Sequence, residues 1–304
     1  MKQELGQTGL EVSRIALGCM RMADLETKEA ARVVDTALVN GITFFDHADI
    51  YGGGQSEERF AAAVKELGFK RDDLLLQSKC GIRKGFFDFS KEHILESVDQ
   101  ILRRLNTDYL DVLALHRPDV LMEAGEVAEA FYLLKKAGKV RHFGVSNQNR
   151  YQMELLQSYL EEPLVVNQLQ LSPAHTPMID AGLHVNMKDD AATMRDGGIM
   201  EYCQLKKVTI QAWSPFLINL QEGIFVDHPD YTLLNETIDC YANQYNVSRE
   251  AIIVAWILRL PAKVQTIVGS MNPDRIEKIA HAYQVELTRP EWYDIYRSAG
   301  NILP

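Results

Sequence analysis

The chain has 304 residues, 46% hydrophobic and 24% charged, a composition that allows a large core and excludes disorder or a fibrous repeat. Its formal net charge is −10, which argues against nucleic acid or an anionic membrane as main partner, since both need a basic face. Four scattered cysteines (Cys19, Cys80, Cys203, Cys240), no apolar signal core and no long apolar run point to free thiols in the cytoplasm.

At the N-terminus, Lys2 to Leu5 and Leu10 to Ser13 flank Gly6-Gln7-Thr8-Gly9, the pattern of a short hairpin. Beyond it, short apolar runs alternate with amphipathic stretches. Strands are predicted at 14–18, 43–47, 74–78, 111–116, 142–145, 165–168, 209–213 and 266–268. Helices are predicted near 28–40, 56–67, 91–105, 123–137, 151–160 and 198–206, twice within 231–260, and at 273–283. Asn40-Gly41 and Ala137-Gly138 read as helix stops, Ser56-Glu57-Glu58 as a helix start, and Asn272-Pro273 as a cap followed by proline at the first helical position. Residues 172–197 show no periodicity and read as a long irregular loop of functional importance.

Eight strands alternating with helices imply a parallel sheet with right-handed crossovers. The count of eight favours closure, so the expected fold is α/β: one (β/α)8 or TIM barrel domain over 1–304, carrying an N-terminal β-hairpin. An open dinucleotide-binding sheet would show G-x-G-x-x-G after its first strand, and Gly18-Cys19-Met20-Arg21 does not match.

In such a barrel, chemistry collects at the C-terminal strand ends. The second strand ends at Asp46 with Tyr51 on the following loop, the third runs into Lys79, and the fourth ends at His116. This set suits proton donation to a carbonyl oxygen. A lysine ammonium stabilises a phenolate, an aspartate holds the lysine, and a histidine orients the oxygen. Each residue also has an ordinary reading: a turn aspartate, a packing tyrosine beside Gly52-Gly53-Gly54, a core histidine. Lys79 resists that reading, because an unpaired lysine on an apolar strand is costly. Asp189, Asp190 and Asp196 lie on an irregular loop and read as solvated, so no metal is assigned.

The segment from Phe45 to Gly52, with Lys79 and His116, resembles the active-site signature of the aldo-keto reductases. The likeness continues through Gly138 to Asn147 (GKVRHFGVSN), Asn167-Gln168, Ala212 to Pro215 (AWSP) and Ile267 to Ser270 (IVGS). It implies Asp46, Tyr51, Lys79 and His116 as a catalytic tetrad, and NADP(H) as cofactor. It further implies that Ser146, Asn147 and Gln168 hold the nicotinamide carboxamide, that Trp213 stacks on the ring, and that Ser214, Pro215, Phe216 and Leu217 wrap the pyrophosphate. Gly269, Ser270 and Arg275 would take the adenosine phosphate, with Gly18, Met20 and Asp46 completing the cofactor contacts. Ile279 departs from the polar residue many members use near the adenine.

The expected activity is NADPH-dependent reduction of aldehydes or ketones to alcohols, with Tyr51 as proton donor and a small carbonyl compound as substrate. The family also implies a pro-R hydride, and His116 in place of glutamate suits carbonyl over carbon–carbon double-bond reduction. Two alternatives stay open: a Schiff-base lyase or aldolase using Lys79, and a cofactor-binding sensor without turnover. The oligomeric state stays open; the family resemblance favours a monomer, and no coiled-coil pattern or exposed apolar repeat argues otherwise.

Overall fold

The computed structural model describes every residue of the chain except Asp196. Lys2–Glu4 and Glu11–Ser13 pair antiparallel as the N-terminal hairpin, and its turn uses left-handed Gly6 (φ 56°) and Gly9 (φ 71°). Eight parallel strands follow: β1 (Ile15–Gly18), β2 (Phe44–Asp46), β3 (Leu75–Cys80), β4 (Leu110–Leu115), β5 (Val140–Ser146), β6 (Val166–Gln170), β7 (Thr209–Trp213) and β8 (Gln265–Val268). They close into a barrel in the order β6-β7-β8-β1-β2-β3-β4-β5, the expected fold. The hairpin forms its floor, with Leu5 and Val12 fully buried against Ala16, Phe44, Val112 and Ile267.

Because side chains alternate along a strand, every second residue faces the barrel axis. The register sets Gly18 opposite Asp46, Asp46 opposite Gln77 and Lys79 opposite Ala114, and aligns Gln168, Gln211 and Gln265 across β6, β7 and β8. The residues of opposite parity, such as Leu76, Leu113 and Ile210, pack outward against the helices in the main core.

That helical layer comprises α1 (Thr27–Val39), α2 (Gln55–Leu67), α3 (Lys91–Leu105), α4 (Ala124–Lys136), α5 (Arg150–Gln157), α6 (Pro177–Leu183), α7 (Ile199–Lys206), α8 (Thr232–Tyr245), α9 (Arg249–Leu258), α10 (Pro273–Ala280) and α11 (Arg289–Ser298). In α3, Ser90 caps the start by accepting from the His93 amide, and left-handed Asn106 (φ 51°) ends the helix. Its face of Ile94, Val98, Ile101, Leu102 and Leu105 is buried, each side chain contributing about 1.5–3 kcal/mol before entropy is counted.

Several local expectations change. Ser56 is not a cap: α2 begins at Gln55 after left-handed Gly54 (φ 97°). The Ser56 hydroxyl instead donates to the Met20 carbonyl (3.1 Å) and accepts from the Ala23 amide (3.2 Å). The segment 172–197 contains α6, whose seven residues are too few for a period to register. Asp189 accepts from the Ala192 amide and pairs with His184 at 3.2 Å, while Asp196 lies outside the described residues. Helix α11, absent from the sequence reading, docks through Trp292, which stacks on Trp256 at 4.7 Å. Among the described residues no helix is long and apolar enough to cross a membrane, and no group of three His, Cys, Asp or Glu could hold a metal ion.

Candidate active site

The strand ladder continues into the loop after β2 and sets its path. The His47 amide donates to the Gln77 carbonyl (2.8 Å), the Asp49 amide to Lys79 (3.0 Å) and the Tyr51 amide to Ala48 (3.0 Å). Gly52, Gly53 and Gly54 then turn the chain into α2 with φ of 58°, 64° and 97°. A Cβ on Gly52 would sit 2.5 Å from the Ala23 Cβ, and one on Gly54 would sit 2.7 Å from Arg104 Cδ. Glycine is therefore required for both conformation and space.

This path brings the four residues singled out from the sequence together. Lys79, fully buried, donates to Asp46 Oδ1 at 2.6 Å and to the His47 carbonyl at 2.7 Å. Its ammonium lies 5.1 Å from the centre of the Tyr51 ring, and the Tyr51 and His116 rings meet edge to face at 5.9 Å. Burial alone would strip the charge from Lys79, but Asp46 and Tyr51 together outweigh it and hold the ammonium above its ordinary value. Burial, with Lys79 and Arg117 nearby, pushes His116 down to about 2. The imidazole is therefore neutral at any working pH, a hydrogen-bonding group and not a proton source.

Tyr51 departs from the simple expectation. Lys79 does pull its phenol toward ionisation, but burial is the larger influence and Asp46 adds to it, so the value rises above that of a free tyrosine. The resting site holds a neutral phenol beside a cation. That state is ready to donate its proton once negative charge develops on a nearby oxygen.

Behind this loop sits a second buried group. Glu57 accepts from the Ser78 hydroxyl (2.7 Å) and from Arg104 Nε (2.6 Å). Burial, then the Glu57 charge, push Asp49 up to about 7. A carboxyl held above its unfolded value binds its proton more tightly when folded, so stability is lost as pH rises from about 4 to about 7 and the loss is constant above that. Asp49→Asn is expected to melt above wild type at pH 8, with a smaller gap at pH 5. Thermal unfolding at both pH values tests this, and a gap that does not widen contradicts it.

The barrel interior also carries four glutamine side chains. Gln77 Nε2 donates to Asp46 Oδ1 (2.7 Å) and to Gln211 Oε1 (2.7 Å). Gln168 Nε2 approaches the same two oxygens at 3.1 and 3.3 Å. Gln211 donates to Gln265 (2.8 Å), and Gln265 to the Ser13 carbonyl (2.7 Å). The sequence reading passed over Gln77, Gln211 and Gln265. Their signal was parity: each interrupts an apolar strand on its inward face, as Lys79 does two residues after Gln77.

The residues proposed for a cofactor lie around the C-terminal rim. Ser146, at the end of β5, donates to the Gln168 carbonyl (3.1 Å) and accepts from Asn147 Nδ2 (2.6 Å). Asn147 is left-handed (φ 56°), and its Oδ1 accepts from Trp213 Nε1 at 3.3 Å. Trp213 ends β7 with its ring half-buried on a cavity of about 530 Å³, which Arg117, Asn147 and Gln170 also line. Arg117 stands 5.6 Å from the ring centre. The cavity lies beside the tetrad and does not include it.

After Trp213 the chain turns at left-handed Ser214 (φ 50°), whose carbonyl accepts from the Leu217 amide, with Pro215 buried and Phe216 half-buried between. Gly18 packs against β8, where a Cβ would lie 3.0 Å from Ile267, and Met20 is exposed on the rim. Beyond β8, Gly269 is exposed and open around its Cα, and the Ser270 hydroxyl accepts from the Asn272 amide (3.2 Å). Asn272 caps α10 through the Arg275 amide. Arg275 is exposed and 3.6 Å from Glu250, a competing anion that sequence order concealed. Ile279 is fully buried on the inner face of α10 and does not reach outward.

The profile of the aldo/keto reductase family matches residues 14–298. The chain is 36% identical to oxidoreductase YdhF of Escherichia coli K12, over 96% of this chain and 95% of that protein. It is 33% identical to a 6-dehydroglucose reductase of Agrobacterium fabrum, over 95% of each. Among solved structures, the thermostable aldo-keto reductase Tm1743 in complex with the inhibitor epalrestat superposes with a TM-score of 0.78 at 26% identity, covering 98% of this chain and 99% of that one. The chain belongs to the aldo-keto reductase family and is an oxidoreductase of that family.

Proposed function

We propose that the protein reduces an aldehyde or ketone to the alcohol with NADPH, and that Tyr51 supplies the proton. The observation that carries this reading is the neutral Tyr51 phenol held beside the Lys79 ammonium and the uncharged His116 imidazole. His116 donates a hydrogen bond to the carbonyl oxygen and fixes it toward Tyr51. As that oxygen gains negative charge, the Tyr51 hydroxyl releases its proton to it, and Lys79, anchored by Asp46, stabilises the phenolate left behind.

A nicotinamide fits the residues present. Among the described residues no donor reaches Gln168 Oε1, which leaves that oxygen for a carboxamide N–H. The Trp213 ring is half open toward the cavity, and nothing lies within 4 Å of where a Gly269 Cβ would stand. When bound, the reduced cofactor supplies a hydride to the carbonyl carbon. Arg275, with the Ser270 hydroxyl, would take the 2′-phosphate in exchange for the long contact to Glu250. The relatives named as 6-dehydroglucose reductases support an aldehyde carbonyl as the reacting group.

Two features count against Lys79 as a Schiff-base nucleophile. That role needs a free amine, and here the ammonium is stabilised and two of its N–H groups are committed. Turnover of any carbonyl substrate separates the reductase from a cofactor-binding sensor.

Quenching of tryptophan fluorescence by NADPH and NADH provides the binding test. Trp256 and Trp292 are buried against each other, so the signal is expected to come from Trp213 and to vanish in Trp213→Phe. Arg275→Ala is expected to weaken NADPH about tenfold, roughly one charge-assisted contact, and to leave NADH nearly unchanged. Binding of neither nucleotide to the wild type overturns the reading.

A further inference from the structure

We infer that Gln77 is a positioning residue for the reaction, fixing the Asp46 oxygen on which Lys79 depends. The inference rests on the tetrad reading above and extends it one layer deeper into the barrel. Asp46 Oδ1 accepts from Lys79 at 2.6 Å, Gln77 at 2.7 Å and Gln168 at 3.1 Å. Gln168 makes the longest of these contacts and keeps 4% exposure, whereas Gln77 is fully buried. Gln77 stands on β3 and its other partner, Gln211, on β7, four places apart in the eight-strand ring, so the amide pair braces the barrel across its full width. Gln211 is held in turn by Gln265, and Gln265 by the Ser13 carbonyl.

The orientation of Gln77 follows from its neighbours. Turning the amide over would aim its oxygen at the Asp46 carboxylate and at Gln211 Oε1, setting acceptors against acceptors. Its Nε2 therefore serves both, and the donor is committed to Asp46 whether or not a ligand is present. With that hydrogen bond the carboxylate stays in place, and Lys79 is held where Tyr51 needs it. Without it, the carboxylate, only 2% exposed, loses its shortest amide donor, and the position of Asp46 loosens.

Gln77→Met keeps the length of the side chain and removes the donor. Its kcat is expected to fall about 10- to 100-fold, the scale of one hydrogen bond to a charged group, with KM and NADPH affinity within about threefold of wild type. Gln77→Glu is able to donate only when protonated. Its kcat is therefore expected to be greatest at low pH and to decline as pH rises and the introduced carboxyl ionises, where wild type is flat. A folded Gln77→Met with wild-type kcat overturns the inference, as does a loss confined to KM or cofactor affinity. Should Gln77→Met fail to fold, the Gln77→Glu profile decides, and a wild-type shape overturns the proposal. Absence of NADPH-dependent reduction by the wild type would instead remove the reductase reading itself, so the two failures are distinguishable.

Discussion

Tyr51→Phe is expected to lower kcat for carbonyl reduction by about 10²–10⁴-fold, the usual range for losing a positioned general acid, while KM and NADPH affinity stay close to wild type. The expectation follows from which groups can release a proton. His116, held near 2, has none to give at neutral pH, and Lys79 is held above its ordinary value by Asp46 and Tyr51 against burial. The phenol remains, and the substitution deletes one oxygen while leaving the ring against His116. A fall in kcat with KM preserved marks an interaction made in the transition state. Because burial raises the Tyr51 value, wild-type kcat should hold through pH 8–9 and decline only above the ordinary tyrosine range near about 10. Steady-state rates with a small aldehyde test both parts. A phenylalanine variant keeping a tenth or more of the activity would remove Tyr51 from the role.

Lys79→Met should cost stability as well as activity. Lys79 and Asp46 are both buried, at 0% and 2% exposure. Removing one partner of such a pair leaves an uncompensated buried charge and costs about 3–5 kcal/mol. Gln77 and Gln168 still donate to Asp46, which places the loss toward the lower end. Activity should fall at least about 100-fold, since neither the Tyr51 phenolate nor its orientation is then supported. A second substitution separates the two effects. Asp46→Asn added to Lys79→Met removes the stranded charge, so stability should partly return while activity does not. Denaturant unfolding and initial rates on the two single variants and the double variant measure this cycle. A double variant no more stable than Lys79→Met would mean that the pair is not coupled as its 2.6 Å contact implies.

The strands could be read from the sequence because they are short apolar runs alternating with amphipathic stretches, two of them preceded by the helix stops Asn40-Gly41 and Ala137-Gly138, and the barrel followed from their number. Asp46, Lys79 and His116 stood out as polar residues ending apolar runs. Three things were hidden for physical reasons. Parity marks Gln77, Gln211 and Gln265 as inward-facing, but the meeting of Gln77 with Gln211 joins opposite strands and leaves no mark in local spacing. The direction of the Tyr51 shift depends on how fully the ring is desolvated, which charge pairing alone does not reveal. Glu250 and Arg275 sit 25 residues apart on neighbouring helices, so their competition appears only in space. Helix α11 was different: Thr288-Arg289-Pro290-Glu291 is a complete capping box, and its start was legible.

The hairpin floor also bears on how the chain assembles. Gln3 donates to the Lys263 carbonyl, Gln265 to Ser13, and Arg14 to Leu258, contacts that span 260, 252 and 244 residues. The hairpin thus waits for the last barrel strand and the segment before it to make these hydrogen bonds. Loop closure over such a distance precedes any reward from the contacts it makes, which slows folding and favours a late, concerted step. β8 closes the ring by pairing with both β7 and β1, so without it each of those strands has an unpaired edge. The event that seals the floor also joins Gln265 to Ser13, and so ties the glutamine layer beneath Asp46 to the hairpin.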